Sequence, residues 1–303
     1  MNQILRPKNE DSGKGFLLAV MAYLLWGFLP FYMKAATHIG PLEVIAHRVV
    51  WSVPIALGVL IWMGRTSDLM SALRTPRMLG MAAVTAVLIT ANWGIYVWAI
   101  MNGHALDTAL GYYINPLFSV FLGRVLLGER LSRAQWAAIA LAATAVVILT
   151  VEAGSLPLAA LGLTFSWGIY AFFKKSLPIG PNQGFALEVL ILLAPALAYV
   201  AWLIGTGTGH FAIGVPGDTV LLMCGGLVTA VPLMLYANGA KLLRLSTIGI
   251  LQYIAPTMIF VTAVFVFGEP FSVGKMIAFP MIWAALAIYT TAMVRQARGS
   301  RAD

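Results

Sequence analysis

Ten apolar stretches, each about 20 residues long and parted by short polar connections, limit what this chain can fold into. They run over about 15–36, 43–63, 78–101, 106–127, 133–151, 157–176, 184–204, 218–241, 246–267 and 273–294. About 20 continuous apolar residues are what a helix needs to cross some 30 Å of hydrocarbon. The runs lack the strict alternation of a membrane barrel strand, so each predicts a helix. Residues are 60% hydrophobic and only 10% charged, against about 25% charged in soluble domains. That leaves too little polar surface to cover a water-soluble core. The expected class is an all-α polytopic membrane protein in contact with a lipid bilayer, with no room for a soluble domain. Residues 1–14 form a polar N-terminal tail. The run at 15–36 is too long for a secretory signal and reads as the first span.

Charge then orients the chain. The net charge of +8 is not gathered into one patch, which argues against nucleic acid. The basic residues sit instead in alternate connections: Arg6, Lys8 and Lys14; Arg65, Arg74 and Arg77; Arg130 and Arg133. Lys174-Lys175, Lys241 with Arg244, and the tail Arg295, Arg298 and Arg301 continue the series. Between them lie nearly neutral connections, of which the longest, about 205–217, has no lysine or arginine. The positive-inside rule puts the basic sides in the cytoplasm, which gives an even number of spans with both termini inside. The lone Cys224 allows no intrachain disulfide.

An internal repeat divides the chain in two. Tyr113-Ile114-Asn115-Pro116, running on to Gly128-Glu129 and Ser132, returns at an offset of 140 as Tyr253-Ile254-Ala255-Pro256, Gly268-Glu269 and Ser272. Trp26-Gly27 with Lys34 matches Trp167-Gly168 with Lys175 at an offset of 141. Five spans per half is an odd number, so the halves, 15–152 and 153–294, are expected to be inverted relative to each other, followed by a tail at 295–303. Asp107 and its counterpart Thr247 read as N-caps. Ser132 with Gln135 reads as a capping box opening the fifth span.

The chain carries no G-x-S-x-G elbow, H-E-x-x-H helix, P-loop or G-x-G-x-x-G turn, so an enzyme is not expected. The four histidines fall in separate connections and one helix, so neither a metal site nor a cofactor is expected. Inverted repeats with proline-broken helices point to alternating access around a site near the membrane midplane. Polar residues within spans are costly unless they face a cavity or a partner. His47 and Arg48 are the expected attraction for an anionic or zwitterionic group. Asn92, Tyr96, Tyr112, Asn115 and Gln252 are expected to hydrogen-bond the ligand, and Trp167 and Tyr170 to pack against it. Lys34, Glu43 and Glu188 are candidates for a proton or charge pathway, although Glu43 and His47, four apart, could simply pair. Pro116 and Pro256 each free a carbonyl one turn back and are the expected hinges.

Several of these segments resemble a known family. Ala22-Tyr23-Leu24-Leu25-Trp26-Gly27, His47-Arg48-Val49-Val50-Trp51-Ser52, Leu110-Gly111-Tyr112-Tyr113-Ile114-Asn115-Pro116 and Gln252-Tyr253-Ile254-Ala255-Pro256 are similar to the RarD group of the EamA family. The resemblance runs from about residue 15 to 295. It implies the drug/metabolite transporter superfamily: ten transmembrane helices in two inverted five-helix repeats, in a bacterial inner membrane, exporting a small metabolite or drug-like molecule. Ala255 departs from the glycine expected before that proline. An uncoupled channel or facilitator, and a flippase-like carrier of a lipid-linked precursor, stay open as alternatives. The ligand, the coupling ion (a proton being the candidate) and the oligomeric state are not specified by these residues.

Overall fold

The structure, a computed structural model, describes residues 12–127, 131–176, 178–213, 215–240, 242–243, 247–248 and 251–299, with the side chains of 127, 174–176, 240, 293–294 and 296–299 excepted. The helices are α1 (Gly13–Ala35), α2 (Pro41–Trp62), α3 (Thr66–Leu73), α4 (Pro76–Met101), α5 (Ala105–Leu127) and α6 (Arg133–Ala153). They continue as α7 (Leu158–Ser176), α8 (Pro181–Thr206), α9 (Pro216–Ala240), α10 (Ile254–Val261) with a π-helical turn at Thr262–Val266, and α11 (Val273–Gly299). Among the described residues there is no strand.

Eight of these helices are long and apolar enough to cross a membrane. The sixth and ninth expected spans appear as shorter apolar helices, Leu158–Phe173 and Ile254–Val266. Several expectations lie outside the described residues: Gly128-Glu129-Arg130, Arg6, Lys8, Lys241, Arg244, Arg301, and the side chains of Lys174, Lys175 and Arg298. One helix was not foreseen. α3 sits between Arg65 and Arg74 and tucks Leu69 and Ala72 inward, too short an apolar stripe to stand out by periodicity.

Apolar side chains gain little from leaving lipid for another helix, so membrane helices associate through close backbone approach at small residues. The packing follows that logic. α2 packs on α9, where a Cβ on Gly226 would land on the Trp51 main chain. α5 packs on α7, and a Cβ on Gly111 would lie 2.7 Å from the Ala160 carbonyl oxygen. α1 lies on α9 and α10, α7 on α4 and α5, and α6 on α11. Gly27 of α1 faces Met258 of α10, while Gly168 of α7 faces Phe118 of α5.

Polar links tie the connections at each end. At the end that carries the nearly neutral connections, His38 pairs with Asp218 at 2.8 Å and His210 with Glu43 at 2.9 Å. At the other end Gln183 donates to Asp68 at 3.2 Å and Asn238 to Asn182 at 3.3 Å. The capping box at Ser132 and Gln135 is present with both of its bonds.

Asp107, by contrast, is not the cap of its helix. α5 begins two residues earlier, and its first N–H groups are taken by a distant carboxylate. Glu269 accepts from Ala105 N at 2.7 Å and from Leu106 N at 2.9 Å. Asp107, left in the first turn, bonds His104 at 3.2 Å and lies 3.8 Å from Lys275. The repeated Gly-Glu of the second half thus has a defined task. Gly268 takes a φ of 66°, a left-handed conformation suited to glycine. That turn delivers Glu269 to the N-terminus of α5, where the helix dipole favours a carboxylate.

Candidate functional site

A cavity lies among α1, α2, α4, α5, α7, α9 and α10, lined by Arg48, Asn92, Tyr96, Tyr112, Asn115, Trp167 and Gln252 of the expected ligand residues, and by Pro256. Its non-atom space, open mouth included, is about 860 Å³. Arg48, Asn92 and Tyr96, each no more than 3% exposed, form its deep end. They stand on the halves of α2 and α4 nearest the neutral connections. Tyr236 and Gln252, half-buried, stand toward the basic end. The cavity therefore deepens toward the neutral end.

The repeat meets itself here. Trp26 and Trp167, Tyr112 and Gln252, and Asn115 and Ala255 are equivalent positions of the two halves, and all six line the cavity. Beside it the equivalent tyrosines Tyr113 and Tyr253 approach to 6.5 Å between ring centroids, and Tyr113 shares a 2.7 Å hydrogen bond with Thr257. Pro116 is buried within α5, one position beyond the lining residue Asn115.

The polar groups fall into two sets. Asn92 is held by the protein: its amide donates to Leu163 O at 3.2 Å and Ser166 Oγ at 2.9 Å, and its carbonyl oxygen accepts from the Tyr112 hydroxyl at 3.4 Å. Arg48 is held on one side only. Its Nε donates to Thr229 Oγ1 at 2.8 Å and its Cζ stands 4.8 Å from the Trp93 ring centroid. Gly225 lets α9 come this near, since a Cβ there would sit 3.1 Å from Arg48 Cγ. Arg48 Nη1, the Tyr96 hydroxyl and Asn115 Oδ1 are buried without hydrogen-bond partners.

Other candidates lie outside the lining. The His47 ring rests on Phe211 at 4.7 Å and accepts from Trp51 Nε1 at 3.2 Å, on a face of α2 turned away from the cavity. Tyr170 backs Trp167 at 5.6 Å and donates to buried Glu188 at 3.3 Å. Glu43 does not pair with His47: it accepts from the main chain of His210 at 2.6 Å and of Phe211 at 3.3 Å, and so fastens the long connection. Lys34 is an exposed cation 5.1 Å from the Phe267 ring.

Sequence reasoning missed much of the aromatic wall, namely Tyr23, Trp26, Trp93 and Tyr236, together with Thr229. Trp26 could have been found from its repeat partner Trp167. For the others, aromatic residues in a membrane chain more often mark the interfaces. Two of the separate histidines do come together, His38 and His210, with ring centroids 5.9 Å apart.

Comparison with known proteins accords with this geometry. The EamA-like transporter family matches residues 13–151. An uncharacterized transporter of Vibrio cholerae is 42% identical over 298 residues, 98% of each chain. Protein RarD of Streptomyces exfoliatus is 40% identical over 98% of this chain and 94% of its own. Protein RarD of Escherichia coli is 39% identical over 96% and 99%. A solved crystal structure, 21% identical, superposes with a TM-score of 0.60 over 92% of this chain and 96% of the other, and so shares the fold. The chain is thus a multi-pass bacterial inner-membrane protein of the EamA-like transporter family, in its RarD group.

Proposed function

We propose that the chain is a secondary transporter that exports a small metabolite or drug-like molecule by alternating access, through ten spans arranged as two inverted halves with both termini cytoplasmic. The observation that carries this is a cavity lined by equivalent positions of both halves, deep toward one end, with polar links beyond it. The packing also supports two symmetrically related halves. Exchanging each helix for its repeat counterpart turns the α1–α9 pair into α7–α4, and the α5–α7 pair into α10–α1. The glycine contacts exchange in the same way, Gly27–Met258 for Gly168–Phe118, at offsets of 141 and 140. Such halves can rock against each other around a fixed site.

In this state the neutral end is the closed one. Its clasp is His38–Asp218 and Glu43–His210, which join the α1–α2 connection to the first turn of α9 and the first turn of α2 to the segment before α9. Opening to that side requires the clasp to part.

A cysteine-accessibility experiment tests this. In a Cys224→Ala background, Leu29→Cys puts a thiol in the cavity lining. Alternating access predicts reaction with a membrane-impermeant reagent from either side of the membrane. Adding His38→Cys and Asp218→Cys and bridging them with a short bifunctional reagent should stop labelling from the neutral side and spare it from the basic side. Labelling from both sides with the clasp bridged would instead indicate an open channel. Counterflow across a pH gradient then shows whether protons are coupled.

A further inference from the structure

The cavity leaves one charge uncompensated. Arg48 is 3% exposed, and its guanidinium is always protonated in proteins. A buried ion carries a penalty of several kcal/mol even after relaxation. Among the described residues no carboxylate pairs with it, and no Asp or Glu lines the cavity. Thr229 supplies one neutral oxygen, and it donates its own proton to Gly225 O at 2.7 Å. The Trp93 face adds a cation–π contact, worth at most a few kcal/mol even when desolvated. Among the described residues the charge goes unmet, which makes the cavity suited to an anionic ligand group.

Two more groups narrow that ligand. The free Tyr96 hydroxyl lines the same cavity as Arg48 Nη1, and two such donors suit the two oxygens of a carboxylate. The Asn115 amide, its oxygen unbonded, offers an acceptor to a ligand O–H or N–H. An ammonium would meet no carboxylate in the lining, and a dianion would leave one negative charge over. The walls are Tyr23, Trp26, Trp93, Tyr112, Trp167 and Tyr236, a surface for a flat ring that packs by offset or edge contact.

We infer that the ligand is an aromatic monocarboxylate bearing a neutral hydrogen-bond donor, its carboxylate held by Arg48 and Tyr96 and its donor by Asn115. This rests on the cavity being the transported molecule's site, as proposed above, and goes beyond it in naming the chemical class. A purely cationic ligand would set its charge near Arg48 with no carboxylate in the lining to meet it.

Thermal unfolding of the purified full chain with matched probes tests it. The series is 4-hydroxyphenylacetate, phenylacetate without the donor, 4-methylphenol without the charge, tyramine with the opposite charge, and L-tyrosine as the zwitterion. Ligands that bind only the native state raise its melting temperature in proportion to occupancy. The expected order has 4-hydroxyphenylacetate tightest, phenylacetate three- to tenfold weaker, and tyramine without effect. Arg48→Gln should cut the preference for 4-hydroxyphenylacetate over 4-methylphenol at least tenfold, with Arg48→Lys recovering part of it. Should Arg48→Gln not fold, Tyr96→Phe and Asn115→Ala keep the charge and should each weaken the acid several-fold. Binding of tyramine or L-tyrosine as tight as the acid, or no shift with either acid, overturns the assignment. The cysteine experiment uses no ligand, so it can succeed when this one fails.

Discussion

Replacing Glu269 by alanine removes the acceptor of two main-chain N–H groups at the start of α5, Ala105 N at 2.7 Å and Leu106 N at 2.9 Å. Hydrogen bonds to a charged group contribute about 1.5–3 kcal/mol each. A carboxylate at a helix N-terminus gains roughly 0.3–2 kcal/mol more from the dipole. The site lies at the end of the bundle, so water can re-enter and satisfy part of what is lost. The expected loss is therefore about 3 kcal/mol, below the plain sum. Glu269→Gln keeps one acceptor oxygen but turns an NH2 toward an N–H donor, and should cost about 1–2 kcal/mol by the same values. Equilibrium unfolding in mixed detergent micelles reads both. The order wild type, Gln, Ala is the signature of a capping carboxylate. If Glu269→Ala lay within about 0.5 kcal/mol of wild type, the range of ordinary surface changes, the cross-chain cap would contribute nothing and its repetition in the sequence would need another cause.

Three further outcomes follow from the packing. Gly226→Ala sets a methyl on the Trp51 main chain; a backbone cannot step aside as a side chain can, so a loss at or above the usual 1–3 kcal/mol of overpacking is expected, and an unchanged unfolding midpoint would contradict the α2–α9 approach. Glu43→Gln weakens the hold on His210 and Phe211, and limited proteolysis should cut the connection at 207–213 faster than in wild type. Ser132→Ala removes one half of the capping box on α6 and should cost about 1 kcal/mol without altering transport, which a flux assay alongside unfolding would check.

Sequence and structure divided the work along a physical line. Hydropathy and the alternation of basic connections are properties of continuous stretches, so the sequence alone determined the helical membrane class and nearly every span. Identity at a fixed offset is equally local to read, and it marked Trp26, Trp167, Tyr112, Gln252, Asn115 and Ala255 as counterparts before any of them was known to line a cavity. The capping box at Ser132 was legible because both of its bonds close within four residues. Glu269 was not, because its partners lie 163 and 164 positions away. Glu43 and His47 are four apart and could have paired, yet Glu43 is drawn to the connection before α9 by main-chain donors that no spacing announces. Arg48 and His47 are neighbours in sequence, and a helix turns adjacent side chains about 100° apart. Only the placement of α9 against α2 decided that Arg48 faces the cavity with its charge unmet, while His47 faces Phe211 and away from it.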